Sequence, residues 1–178
     1  MRSHGDNITG KSLFDNLKTA VRTFVYDGIS KSLLFRYRRM GMKIGDGCRI
    51  SRHAKLDLTN PKGVEIGDYT LVSFDTAVLT HDFIYRKHVT TRIGSFCFIG
   101  ARAVVMPGVE IGDHVVVGAG SVVVSDIPSH CLVGGNPAKI LRSDIVTGRW
   151  GIMEQSFVDA DMGPSGVLAN SNQRAEQA

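Results

Sequence analysis

The chain has 178 residues, 43% of them apolar and 21% charged, which suits one domain with a buried core plus tails. Its three cysteines, at positions 48, 97 and 131, exclude a disulfide framework and a Cys-x-x-Cys zinc site. No apolar run reaches the ~18 residues of a membrane span, and the opening residues do not read as a signal peptide, so the expected compartment is the cytoplasm. The net charge of +4 is unevenly spread: residues 1–41 hold eight basic and three acidic side chains, residues 143–178 two basic and five acidic. Glycine is abundant, at 20 residues, which without a collagen period points to many tight turns.

Residues 1–41 are expected to be helical. Over 12–39, Leu13, Leu17, Val21, Phe24 and Val25 make one apolar stripe, and Gly28 weakens the middle of the segment, which allows two short helices. Its expected task is to cap the structure that follows, with peripheral membrane contact as a lesser use. The run Phe35, Arg36, Tyr37, Arg38, Arg39 has the composition of an anion-binding patch. It reads first as a solvated helix face, and nucleic acid is not an expected partner.

From residue 42 a six-residue period takes over. Aliphatic side chains recur at Ile44, Ile50 and Leu56, at Ile66, Val72 and Val78, and then from Ile93 through Ile99, Val105, Ile111, Val117 and Val123. Four of these open the steps IGDGCR, IGDYTL, IGSFCF and IGDHVV. Four positions on, the side chain is usually small: Cys48, Ala54, Thr70, Thr76, Cys97, Ala103, Ser121. A helix needs apolar spacings of three and four and an isolated strand a spacing of two. A period of six fits short strands and turns, three to a coil, stacked as an all-β solenoid. Periodicity leaves the hand of the coil open, and parallel crossovers are normally right-handed.

Two interruptions break the phase. The step from Leu56 to Ile66 is ten, so TNPKGVE carries a four-residue insertion. The step from Val78 to Ile93 is fifteen, so nine extra residues lie within THDFIYRKHVTTR and form a loop over 82–92. Loops leaving a solenoid commonly build its binding face. The domain over 42–142 ends where GGNPAKILR forces the chain out of the coil, and a short helix or strand is expected toward Trp150. The extension over 143–178 is polar and rich in Gly, Ser and Asn beyond residue 161, where disorder is expected.

The hexapeptides, the THDF step and the segment IGDHVVVGAGSVVVSDIPSHCLVGGNPAKILR resemble the hexapeptide-repeat acetyltransferases over about residues 40–142. That family includes galactoside, maltose and nodulation-factor acetyltransferases and those of colanic acid and exopolysaccharide synthesis. The resemblance implies a left-handed parallel β-helix, a homotrimer, and acetyl-CoA as acyl donor in a groove between subunits, with no metal. It puts the catalytic histidine on His81 and the aromatic that flanks the cofactor on Phe98. Ala101 and Ala119 fall along the pantetheine arm, and Lys139 and Arg142 near the coenzyme phosphates. The family's asparagine one coil below the histidine falls on His53. The sequence departs from the pattern at Val124-Ser125-Asp126, where the family has Thr-Lys-Asp. The N-terminal region does not match that of maltose acetyltransferase, which moves the expected acceptor from free sugars toward a nucleotide sugar or glycan of surface-polysaccharide synthesis.

The chemistry suits a histidine. A thioester is already activated, because a thiol of pKa ~8.5 leaves readily, whereas a sugar hydroxyl needs its proton removed. An imidazole with a reference pKa near 6.5 takes that proton at neutral pH. Asp82 either orients His81 or starts the loop turn, the turn being preferred. His88 reads as a surface residue or an acceptor contact. Cys97 occupies a corner slot and reads as packing rather than as a nucleophile. Competing readings are a zinc enzyme like the γ-type carbonic anhydrases, a non-catalytic solenoid, and an N-acyltransferase acting on an amino-sugar nucleotide. The first needs converging histidines, and His53, His81 and His114 fall on three different faces of the coil.

Overall fold

The computed structural model describes residues 31–153. The apolar stripe of residues 13–25 and the tail beyond residue 161 lie outside them. Four full coils follow one another. The first contains β1 (Lys43–Ile44), β2 (Arg49–Ile50) and β3 (Lys55–Leu56); the second contains β4 (Val64–Ile66), β5 (Leu71–Val72) and β6 (Ala77–Val78). A hairpin of β7 (His81–Asp82) and β8 (Lys87–His88) leaves the solenoid before the third coil, β9 (Thr91–Ile93), β10 (Phe98–Ile99) and β11 (Val104–Val105). The fourth is β12 (Glu110–Ile111), β13 (Val116–Val117) and β14 (Val122–Val123), after which come β15 (Leu132–Gly134) and β16 (Lys139–Arg142).

Like strands of successive coils pair in parallel. Sheet A stacks β1, β4, β9 and β12; sheet B stacks β2, β5, β10, β13 and β15; sheet C stacks β3, β6, β11 and β14. The register matches the hexads one to one, Ile44 against Ile66, Ile50 against Val72 and Leu56 against Val78. Every one of the twelve periodic aliphatic residues is buried. Burying each contributes about 1.5–3 kcal/mol, which is how strands of two residues, unstable alone, hold together. The fold is a left-handed parallel β-helix, an exception to the usual right-handed crossover.

The corners pay a backbone penalty. Tyr69, Phe96 and His114, with φ of 51°, 57° and 56°, occupy the left-handed region at the corner between sheets A and B, at about 1–2 kcal/mol each. Their rings stack on one another and on His130, at centroid separations of 5.4, 5.2 and 4.9 Å, returning about 0.5–1.5 kcal/mol per pair. At the bottom of this ladder stands Gly47 (φ 66°), where a Cβ would strike the Tyr69 ring.

Residues 31–39 are helical and close the open end of the first coil. Leu33 and Leu34 pack on the core and Tyr37 is buried in it. Arg38 is not simply a solvated charge: its Nε donates to the Ile44 carbonyl at 2.9 Å and its Nη2 to that of Gly45 at 2.7 Å. At the other end the chain runs from β16 down the corner between A and B as an irregular strap. Ile145 N–H donates to the His130 carbonyl, Thr147 Oγ1 to that of Phe96 and Trp150 Nε1 to that of Gly47. Only a tight 3-10 turn, Arg149–Gly151, interrupts it.

The outer faces differ in character. Sheet A carries a ladder of charges on its outer face, Lys43 to a half-buried Glu65 at 2.7 Å, Glu65 to Arg92 at 3.0 Å and Arg92 to Glu110 at 3.2 Å, each pair contributing little in water. Above the bottom rung, sheet B presents Leu71, Phe98, Val116 and Leu132 outward, and sheet C presents Ala77, Val104 and Val122.

Candidate active site

The corner between sheets C and A is where both interruptions of the hexad period fall. In the first coil the chain leaves β3 with Asp57 and makes a 3-10 turn, Pro61–Gly63, before rejoining sheet A. In the second coil it leaves β6 through Leu79 and Thr80 and enters the hairpin at His81. The first insertion therefore lies directly under the root of the second.

Asp57 is buried and its carboxylate is fully engaged. Its Oδ1 accepts the Thr59 N–H at 2.8 Å, and its Oδ2 accepts the Thr80 N–H at 2.9 Å and the His81 N–H at 3.1 Å. The same Oδ2 lies 2.6 Å from His81 Nδ1. Burial by itself would raise this carboxyl; the Thr80 N–H, the His81 ring and the Thr59 N–H outweigh it and hold it well below the usual carboxylate range. A carboxylate facing Nδ1 makes that nitrogen the proton-bearing one, so Nε2 keeps its lone pair. The His81 side chain is 30% exposed against 4% for Asp57. The arrangement is a buried carboxylate orienting an accessible imidazole, the pairing used for general-base chemistry.

The other predicted residues distribute as follows. Asp82 starts the hairpin turn, its Oδ1 accepting the N–H groups of Ile84 and Tyr85 at 2.9 and 3.0 Å; Asp57, not Asp82, orients the histidine. His88 pairs with His81 across the hairpin and is exposed. His53 lies in the coil below His81 but at the opposite end of sheet C, where it accepts a hydrogen bond from Arg52 at 3.0 Å. The two therefore do not face one another within one chain, because the Asn-equivalent position turns at the corner between B and C. What does lie below His81 is the segment from Asp57 to Asn60. Phe98 is on the outer face of sheet B, with Gly151 of the strap packed on it. Ala101 and Ala119 stack at the corner between B and C, where the Gly120 N–H donates to the Ala101 carbonyl. One chain thus brings together neither Phe98 nor these alanines with His81.

Lys139 and Arg142 lie on the antiparallel strand β16, formed because Gly134 and Gly135 let the chain fold back on β15. Lys139 pairs with Gly134 and Arg142 with Leu132, with a bulge between. Both partners flank the inward Val133, so both cations sit over the outer side of sheet B. Cys97 is fully buried, and burial pushes its thiol up to about 12, which suits packing and not nucleophilic attack. A shallow depression of about 240 Å³ on sheet A, lined by Lys43, Glu65 and Arg92, contains no member of the histidine–aspartate pair. Asp57 escaped the sequence reading because its partners lie 23 and 24 residues ahead; its one signal was a carboxylate directly after an aliphatic hexad position, at the mouth of an insertion.

Known proteins share this architecture. A family model described as bacterial transferase hexapeptide (six repeats) matches residues 90–125. "Putative acetyltransferase YvoF" of Bacillus subtilis (strain 168) is 33% identical over 102 residues, 56% of this chain. The chain spans 59% of the length of that relative. "Protein CapG" of Staphylococcus aureus is 36% identical over 119 residues, which cover 61% of this chain and 69% of CapG. The crystal structure of a hexapeptide-repeat-containing acetyltransferase from Vibrio cholerae matches with a TM-score of 0.52 at 26% identity, covering 65% of this chain and 81% of that one. With its hexads in register, its coils stacked and CapG aligned over most of its length, the chain belongs to the hexapeptide-repeat acyltransferase family.

Proposed function

We propose that this protein moves an acetyl group from acetyl-CoA to a hydroxyl of a sugar in surface-polysaccharide or lipopolysaccharide synthesis. The observation that carries the reading is the 2.6 Å contact between Asp57 and His81 Nδ1 at the mouth of the hairpin. With Nδ1–H donated to Asp57, Nε2 takes the proton of the acceptor hydroxyl as its oxygen attacks the thioester carbonyl. The tetrahedral oxyanion collapses, the carbon–sulfur bond breaks, and the imidazolium returns its proton to the departing thiolate. Asp57 stabilises the transient positive charge on His81 without taking the proton itself. The acceptor class rests on the N-terminal region, which does not match that of maltose acetyltransferase and so points away from small free sugars.

A trimer completes the site in this reading. Sheets B and C turn apolar side chains outward while sheet A is charged, a pattern that suits burial of B and C between subunits. A neighbouring subunit then supplies Phe98, Ala101 and Ala119 to the donor's pantetheine arm, with Lys139 and Arg142 toward its phosphates. Light scattering is expected to give three times the 19.3 kDa chain mass. A stable monomer that still turns over contradicts this.

The activity itself is read by release of the coenzyme A thiol when acetyl-CoA is mixed with a panel of UDP- and GDP-linked hexoses. An acetyl group lost from the product in mild alkali is an ester and supports O-transfer. An alkali-stable product is an amide and replaces this reading with N-transfer to an amino sugar. No thiol release with any acceptor, in a protein that binds coenzyme A, overturns it.

A further inference from the structure

Thr80, the residue before the proposed base, is fully buried, and every polar atom it has is bound. Its N–H goes to Asp57 Oδ2 at 2.9 Å. Its carbonyl accepts Asn60 Nδ2 at 3.0 Å and the Val89 N–H at 2.9 Å. Its Oγ1 donates to the Asn60 carbonyl at 2.7 Å. The same Asn60 Nδ2 also donates to the Val89 carbonyl at 3.0 Å. One side-chain amide therefore ties the outgoing strand to the returning strand where the hairpin leaves the solenoid.

The space around that amide is tailored to it. Gly63, at the end of the 3-10 turn, packs so closely that a Cβ there would run into the Val89 carbonyl and Asn60 Nδ2. From the coil above, Thr91 Oγ1 donates to the Leu79 carbonyl at 2.5 Å and accepts the Gly108 N–H at 3.0 Å. Residues 79, 80 and 89 are thus held by side chains from the coils on either side. Beyond this root the hairpin has little support: Phe83, Ile84 and Tyr85 are 86%, 84% and 71% exposed. Within one chain, what aims the hairpin acts at its base.

We propose that Asn60 is a positioning residue for the acceptor: by clamping Thr80 to Val89 it sets the direction in which the hairpin and His81 meet the incoming sugar. The inference rests on the reading of His81 as general base. It divides the work of the first insertion in two. Asp57 fixes the imidazole ring, and Asn60 fixes the frame that carries it. The chemistry calls for an amide, since two carbonyl acceptors need two donors on one nitrogen, and an isosteric carboxylate has none. A misplacement of about 1 Å from outside the reacting atoms costs on the order of 10²-fold in rate, so a loosened frame matters even with the dyad intact.

The test compares Asn60→Asp, which keeps shape and loses both donors, with Asn60→Ala and with Asn60→Ser, which retains one donor. In hydrogen exchange of the full chain, the Val89 amide is expected to exchange at least about tenfold faster in Asn60→Asp and Asn60→Ala, with Ile99 and Val117 in sheet B unchanged. In thiol release with the best nucleotide sugar of the panel, kcat/KM for that sugar falls about tenfold or more and KM for acetyl-CoA stays within about twofold. Asn60→Ser falls between, and keeps the comparison open if the other two do not fold. Wild-type exchange at Val89 and a wild-type kcat/KM for the acceptor in Asn60→Asp would overturn the clamp, leaving Asn60 as packing alone. Absence of turnover by the wild-type chain would instead overturn the reading of His81, while exchange at Val89 still decides whether the clamp exists.

Discussion

Replacing His81 with alanine is expected to cut turnover by about 10²–10⁴-fold, the usual cost of losing a general base. The fold and coenzyme binding should survive, because the ring projects from the hairpin root and fills no core position. Its side chain is 30% exposed, and the twelve hexad residues that hold the coils together are elsewhere. The loss should appear in turnover with KM for acetyl-CoA little changed, since the base acts on the acceptor hydroxyl and not on the donor. Steady-state thiol release with the purified variant checks this. Near-normal turnover would make His81 structural.

Asp57→Asn is expected to have two effects at once. The first is on activity: an asparagine amide no longer enforces the proton on Nδ1, and the wrong tautomer leaves Nε2 unable to accept the acceptor's proton. Loss of the equivalent carboxylate in a Ser-His-Asp triad costs about 10⁴-fold, and a fall on the order of 10²-fold or more is expected here. The second is on stability. The carboxylate satisfies the N–H groups of Thr59, Thr80 and His81, and their imperfect replacement should cost about 1–3 kcal/mol. The pH dependence has a definite sign. The Asp57 carboxyl is held below its ordinary value in the folded state, so its contribution is fully present above the unfolded value near 3.9 and is lost as pH falls through the lower folded value. Thermal melts of wild type and variant should therefore keep their full separation above about pH 4 and converge as pH falls below it. A gap that widens toward low pH would show that the carboxyl is not stabilised in its charged form.

Much of this was legible in the residue order, for reasons that separate local from stacked information. A period of six fixes which side chains point inward, and Ile44 over Ile66 or Ile50 over Val72 follows from phase alone. Asp82 was legible too, because an Asx turn closes within three residues. The dyad was half legible: the loop exposed His81, but Asp57 meets it only because an insertion in one coil lies beneath an insertion in the next. His53 matches the family's asparagine by resemblance, while the hexad phase already puts it on a different face of the coil from His81, where the structure also has it. The end of the solenoid was also hidden. Ile127 bridges to Ile111 and Val133 pairs with Val117, adding rungs above the last recognised hexad, yet the step from Val123 to Ile127 is four and breaks the period. Lys139 and Arg142 reach one side of sheet B through a bulged strand, which their spacing of three does not reveal.

If His81 and Asp57 act as one unit, as proposed, a double-variant cycle separates this from independent action. Turnover is measured, with acetyl-CoA saturating, for the wild type, His81→Ala, Asp57→Asn and the double variant. If Asp57 works only through the imidazole, it has nothing left to orient once the ring is gone. The double variant should then be as slow as His81→Ala alone, the strong non-additivity expected of groups that function together. If the two losses multiply in full, Asp57 and His81 contribute independently, and the base is not the oriented imidazole described here.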